Sequence, residues 1–325
     1  GTIIVAEGTS MRLGALVAAL VVGATAARAE TTLRVMSFNI WGGGGNEGKG
    51  IEETVAAIRA ANPDIIGIQE TRLEGEDCTA ESCPAVGTSV AAALADALGY
   101  QFYEQNKVNE ALWSNAILSR FPIGAASPND LGVPVDVGGQ TVWIFNVHFD
   151  DEPYQPYQLL GIEYGPAPFI KTGAEAEDWA RRTRAAGLAL LTSDLASADG
   201  AAAVFVTGDF NEPSASDWTE AAVAAGQKPV AVNWPTTRTL MDAGFADAYR
   251  AVHSDPVAKP AFTWTLRYDE AATDDHPDRI DFVFARGSGL KMTDAAIVGE
   301  DGPRTDLVVM PWPSDHRAVV AEATF

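Results

Sequence analysis

The sequence predicts an α/β sandwich in which two packed sheets carry helices on their outer faces. Two observations predict it: apolar runs of strand length outnumber helical patterns, and several of those runs follow one another with no crossover helix between them.

Residues 32–38 alternate well enough for a first strand, and Asn39 falls at its end, before the Gly-rich stretch WGGGGNEGKG, which reads as a flexible loop. Residues 51–61 carry apolar side chains at helical spacing and stop at Asn62-Pro63. DIIGIQ, residues 64–69, is a short buried strand with Glu70 at its C-terminal tip. A helix over 88–98 leads into a strand over 100–104, and residues 116–120 (AILSR) and 141–149 (TVWIFNVHF) read as two more strands. Residues 150–172 are rich in Pro and Tyr and read as a long loop, a length that in compact domains usually carries function or is disordered. A long helix over 174–196 follows, with Arg181, Arg182 and Arg184 expected on a solvated face. It feeds VFVTGDFNEP, residues 204–213, whose opening is a buried strand. RIDFVFAR (279–286) and AVVAEATF (318–325) are the last strands.

The first thirty residues read differently. Met11-Arg12, the apolar run that follows and the small-x-small triplet Ala27-Arg28-Ala29 have the pattern of an export signal, so residues 1–29 are expected to be removed and residues 30–325 to form one catalytic domain, periplasmic or extracellular. The apolar run is too short to span a membrane comfortably. The chain carries 44 acidic against 22 basic residues, a formal net charge of −22, and offers no basic stripe for nucleic acid. The only two cysteines, Cys78 and Cys83, lie in the polar stretch EGEDCTAESCP, where an exported chain is expected to close a small disulfide loop.

Eight polar residues stand at or near the tips of the predicted strands: Asn39, Glu70, His148, Asp209, Asn211, Asp281, Asp315 and His316. Each alone has an ordinary explanation. Asn39 suits a turn, Glu70 a surface, His148 a satisfied core position, Asp281 an ion pair with Arg279 or Arg286, and Asp315-His316 a turn after Trp312-Pro313-Ser314. Together they are harder to dismiss, because buried carboxylates are costly unless they are paired or coordinate a cation. Carboxylates and carboxamides are hard oxygen ligands for Mg²⁺, Mn²⁺ or Ca²⁺, and histidines move protons near neutral pH. Phosphoester cleavage uses that combination. Asp209 and Asn211, two apart on a strand, are expected to share one face and address one phosphoryl group. A Ser–His–Asp hydrolase is disfavoured because no G-x-S-x-G elbow occurs, and GGGG at 42–45 lacks the ending of a nucleotide-binding loop.

Read in order, SFN (37–39), IQE (68–70), NAILSR (115–120), NVH (146–148), GDFN (208–211), RIDFVF (279–284) and SDH (314–316) resemble the endonuclease/exonuclease/phosphatase superfamily. The resemblance implies a DNase I-like four-layer α/β sandwich of two mostly antiparallel sheets flanked by helices. It implies a divalent cation, Mg²⁺ first, held by Glu70 with Asn39 and Asp315. It implies His316 as general base oriented by Asp281, Asp209 orienting the nucleophile, Asn211 stabilising phosphoryl oxygens, and His148 binding phosphate or protonating the leaving group. Glu110 is a candidate to orient His148, and Asn115 is a candidate substrate contact. Tyr154 and Tyr157, in the loop after His148, are expected to cover the cleft and stack on substrate, with packing against the sheet edge as the alternative. The expected substrate is a small organic or lipid-headgroup phosphodiester. A secreted DNase and a non-catalytic binding protein on the same fold are the alternatives. A monomer with no protein partner and no membrane span in the mature chain is expected.

Overall fold

The computed structural model of the chain describes residues 1–2, 30–75, 84–266 and 272–325. Nearly all of the expected export signal, and the expected Cys78–Cys83 bridge, lie outside the described residues. The folded body spans Thr31–Phe325, with Gly1–Glu30 a separate unit.

The body runs β1 (Thr32–Asn39), a 3-10 segment (Trp41–Glu47), α1 (Glu52–Ala61), β2 (Ile65–Gln69), the short pair β3 (Leu73–Glu74) and β4 (Ala85–Val86), α2 (Ala91–Leu98), β5 (Gln101–Gln105), β6 (Asn115–Ser119), β7 (Gly132–Val137) and β8 (Gln140–His148). It continues through α3 (Gln155–Leu160), α4 (Gly173–Asp194), β9 (Ala203–Asp209), α5 (Glu220–Ala224), α6 (Pro235–Asp242), β10 (Ala246–Asp247), α7 (Ala248–Val252), β11 (Asp281–Arg286), β12 (Lys291–Gly299), β13 (Leu307–Val308) and β14 (Ala318–Thr324). One sheet has the order β13-β12-β14-β1-β2-β6-β5 and the other β10-β11-β9-β8-β7. Pairs β1–β2, β8–β9 and β12–β13 are parallel, and the other pairs within these two sheets are antiparallel.

Alternation along each strand sorts the side chains into layers. Leu33 and Val35 of β1 meet Ile144, Phe205 and Val283 of the other sheet, while Met36 and Phe38 pack outward on Val55 and Ile58 of α1 and Leu94 of α2. On the second sheet, Val147, Phe282 and Phe284 pack outward on Leu191 of α4 and Leu240 of α6. Helices, sheet, sheet and helices therefore make four layers, and each fully buried Val, Leu, Ile or Phe contributes roughly 1.5–3 kcal/mol. The first and last strands are neighbours. Thr31 N–H donates to the Phe325 carbonyl at 3.0 Å and Phe325 N–H to that of Thr31 at 3.1 Å.

Beneath one edge the two sheets are tied by polar groups. Gln69 Nε2 donates to Asn146 Oδ1 at 2.7 Å, Asn146 Nδ2 to Gln105 Oε1 at 2.9 Å, and Gly208 N–H to Ser37 Oγ at 3.0 Å. These residues are buried, as a seam of satisfied partners permits. Gly67 is required there, because a Cβ would overlap Thr207 Oγ1 and sit 2.6 Å from Asn146 Oδ1.

Four expectations change. The stretch 150–172 contains α3, which begins with Pro156 in its first turn and ends at left-handed Gly161, so its prolines mark a helix start rather than exclude a helix. The Gly-rich stretch 42–45 is a tight, mostly buried turn whose glycines Gly42, Gly43 and Gly44 all have positive φ. Arg181 and Arg182 are exposed, but Arg184 is buried, its charge met by Glu212 at 3.4 Å, Gln155 Oε1 at 2.7 Å and the Asn211 carbonyl. Strands β7 and β12 and helices α5 to α7 were not anticipated, since Pro134 and Asp136 interrupt one strand pattern and Thr293-Asp294 the other.

Candidate active site

Pairing register delivers the polar residues to one edge. β8 and β9 run parallel and end at the paired residues His148 and Asp209, and antiparallel β11 begins at Asp281, which also pairs with Asp209. On the other sheet β1 and β2 end in parallel at Asn39 and Gln69, antiparallel β6 begins at Asn115, and β14 begins two residues after His316. Ends of parallel strands and starts of antiparallel ones thus fall on the same side, where α/β folds place ligands.

Asp209 is the hub. Its Oδ2 accepts from Asn39 Nδ2 at 3.0 Å and lies 3.5 Å from both His148 Nε2 and His316 Nε2. Asn39 Nδ2 also donates to Glu70 Oε1 at 2.8 Å, so this amide bridges two carboxylates. Its oxygen accepts from Trp41 N–H at 3.1 Å, and Asn39 therefore presents nitrogen, not oxygen, to the cluster. Glu70 leaves β2 in a left-handed conformation, φ 57°, secured by Gly42 N–H on its carbonyl at 2.8 Å. Non-glycine residues held at positive φ concentrate at functional sites.

His316 Nδ1 is 2.9 Å from Asp281 Oδ2, the contact that fixes which ring nitrogen faces Asp209. Burial alone would push the His316 pKa down. Asp281, then Asp209 and Asp315, outweigh it and hold the imidazole well above the ordinary histidine value. Burial first, and the charge of Asp315 second, push Glu70 well above the usual carboxylate range, and burial with Asp209 pushes Asp315 up.

Several expected residues sit otherwise than anticipated. β9 stops at Asp209 and Asn211 is left-handed, φ 49°, so strand alternation no longer relates the two. They are joined instead by Asn211 N–H donating to Asp209 Oδ1 at 3.0 Å, while Asn211 Nδ2 donates to the Phe149 carbonyl at 2.9 Å. Glu110 is exposed and does not orient His148, whose Nδ1 has no hydrogen-bond partner among the described residues. Tyr154 and Tyr157 are only 2% and 6% exposed, packed with Ile162 and Ile280, so they support the cleft rather than cover it. Their amphipathic rings made either reading open from sequence. Asn115 is buried, its Oδ1 accepting from Trp113 N–H at 3.1 Å and its Nδ2 without a partner among the described residues.

The loop after His148, where the sequence already sets Asp150 and Asp151 against a polyanionic strand, brings Asp151 to accept from Tyr164 at 2.7 Å. Residues that sequence reasoning missed also surround the cluster: Tyr164 itself, Trp264, which lies nearly parallel to the His316 ring, and Trp113, which stands edge-on to His148. The partners are far apart in sequence, and no local pattern joins them. A groove of about 580 Å³ between α4 and α6, lined by Ala180, Leu188 and Pro235, brings none of the catalytic candidates together.

Two overlapping triplets, Glu70–His148–Asp209 and Asp209–Asp281–His316, each bring their ligand atoms within 4.8 Å of one another. Glu70 Oε2, Asp281 Oδ1 and Asp315 Oδ1 are buried with no hydrogen-bond partner among the described residues. Unpaired oxygens in a mutually repelling acidic cluster are the donor set of a hard divalent cation, and the site fits one.

The endonuclease/exonuclease/phosphatase family model matches residues 36–316. An uncharacterised protein of Caenorhabditis elegans is 26% identical over 309 residues, covering 90% of this chain and 91% of its own. An endonuclease/exonuclease/phosphatase from Beutenbergia cavernae DSM 12333 shares the fold with a TM-score of 0.52 at 20% identity, over 90% of this chain and 71% of that one. D. rerio TDP2 complexed with single strand DNA product gives a TM-score of 0.50 at 16% identity, over 90% of this chain and 99% of that one. The sandwich is thus the DNase I-like fold, whose family comprises phosphoester hydrolases. Because the family match opens within β1 and closes on the imidazole held by Asp281, it encloses every polar strand tip at this edge, and the chain belongs to the endonuclease/exonuclease/phosphatase family.

Proposed function

We propose that the protein is a divalent-metal-dependent phosphodiesterase that hydrolyses a small organic or lipid-headgroup phosphodiester. The observation that carries this reading is the His316–Asp281 contact of 2.9 Å, with the other imidazole nitrogen aimed at Asp209 inside the carboxylate cluster. In this reading His316 Nε2 accepts a proton from water as the water oxygen bonds to phosphorus. The opposite P–O bond breaks, and His148 Nε2 gives a proton to the departing oxygen, leaving a phosphomonoester and an alcohol. Asn115 Nδ2 and the second amide hydrogen of Asn211 are free to donate to phosphoryl oxygens. Glu70 and Asp315 would hold the cation, Mg²⁺ before Mn²⁺ or Ca²⁺, with Asn39 fixing Glu70 against Asp209. When bound, the cation offsets charge developing on the phosphoryl oxygens.

The test is hydrolysis of bis(p-nitrophenyl) phosphate by the purified protein with Mg²⁺, with EDTA as control and plasmid nicking in parallel. We expect metal-dependent hydrolysis, and a loss of roughly 10²–10⁴ in kcat for His316→Ala with unchanged thermal unfolding. Activity that survives EDTA overturns the metal assignment, and activity that survives His316→Ala overturns the base. Nicking without diester hydrolysis replaces this reading with that of an endonuclease.

A further inference from the structure

The rim of the cleft holds a carboxylate that the hydrolytic chemistry leaves unused. Asp151 lies three residues beyond His148, and its carboxylate accepts the Tyr164 hydroxyl at 2.7 Å. β8 ends at His148, which lies 3.5 Å from Asp209, so the short segment that carries Asp151 leaves directly from the reacting centre. Asp151 has no Lys or Arg partner among the described residues. Across the site Trp264 faces the His316 ring, centroids 6.2 Å apart and planes within 27°. Tyr164 and Trp264 are both only partly buried.

These two rings are fixed by a common foundation. Tyr154, fully buried, meets Tyr164 edge-on at 6.2 Å and Trp264 edge-on at 5.5 Å. Tyr157 contacts both as well, at 5.8 and 5.9 Å. Rings locked in this way lose little freedom when they receive a ligand.

Aromatic faces next to an unneutralised carboxylate are the pattern that recognises an organic cation, through the ring quadrupole and the ion pair together. An anionic substituent, or the phosphate backbone of a nucleic-acid strand, would meet Asp150 and Asp151 unfavourably. We infer that Asp151, held by Tyr164, together with the Tyr164 and Trp264 rings that share the Tyr154 and Tyr157 foundation, forms a subsite for a cationic organic substituent of the phosphodiester. The inference rests on the phosphodiesterase reading and names the substrate class within it.

The test compares p-nitrophenyl phosphorylcholine with its carbon isostere, p-nitrophenyl 3,3-dimethylbutyl phosphate, whose substituent carries no charge, using the full chain with Mg²⁺. The native protein is expected to favour the cationic diester about tenfold in kcat/KM, equivalent to about 1.4 kcal/mol. Asp151→Asn and Trp264→Ala should each lower that ratio severalfold, chiefly through KM for the cationic diester. Vesicles of phosphatidylcholine separate the sources: their turnover assigns the substituent to a lipid headgroup, and turnover of the soluble diester alone assigns it to a free molecule. Equal use of both diesters by the native protein overturns the subsite while leaving the phosphodiesterase reading intact. Failure to hydrolyse either diester overturns the phosphodiesterase reading, and the subsite with it.

Discussion

His316 sits among three carboxylates that hold its proton, and a general base has to lose it. In metal-free protein its imidazole should stay protonated well above the ordinary histidine range, and a bound cation should lower that value by opposing positive charge. Long-range imidazole nitrogen NMR spectra recorded across pH, with and without Mg²⁺, check both directions. Asp281→Asn keeps the shape of the contact but removes the charge that favours the working tautomer, and should lower kcat far more than it raises KM. The residue types at the site were readable from sequence because a run of apolar strands each ended in a polar side chain. Side-chain direction was less readable. Alternation predicts a shared face for Asp209 and Asn211 only while the strand continues, and it stops at Asp209. Tyr164 and Trp264 carried no local signal, because each meets its partners through the fold.

Strands and helices place those residues, and two positions test the placement. Gly67 lets β2 approach β8 and β9 closely enough for the Gln69–Asn146 tie. Gly67→Ala should destabilise the protein by about 1–3 kcal/mol, the ordinary cost of overpacking, seen as a lower urea midpoint with an unchanged m-value. Arg184 braces the loop after β9 from α4. Arg184→Met would strand the fully buried Glu212, and such losses cost about 3–5 kcal/mol, so the variant should unfold at markedly lower urea. Long elements with a clear period, such as β1, α1, β8, α4 and β9, were legible to within about two residues at each end. α3 was hidden by its prolines, and β7 and β12 by polar residues that their exposed positions tolerate.

Across the molecule, acidity and the site are coupled. Glu70, Asp315, Asp150, Asp151 and Glu74 all have pKa values raised, by burial first. Groups raised on folding add stability below their unfolded values, near 4 for carboxylates, and that contribution is lost as pH climbs through the raised values. Asp217 and Asp278 run the other way. Burial would raise them, but Arg279 and Arg250 beside one and Lys228 beside the other prevail, so their contribution is present above the unfolded value and fails on acidification. A cation that binds the ionised cluster should therefore raise Tm more at pH 7.5 than at pH 5. At a concentration 100-fold above Kd the gain is roughly 2.7 kcal/mol, and calorimetry at the two pH values checks it. Equal shifts at both pH values would show the cation binding elsewhere.

The hydrogen bonds exchanged by Thr31 and Phe325 set the start of β1 and the end of β14 side by side on adjacent strands. Joining them through a short linker and cutting instead at the exposed Gly138-Gly139 turn, on the strand pair's far side from His148, would reorder the whole sequence without displacing one residue of the reacting edge. What the fold preserves is the neighbourhood of strand ends, and the order in which the chain visits them is free to change.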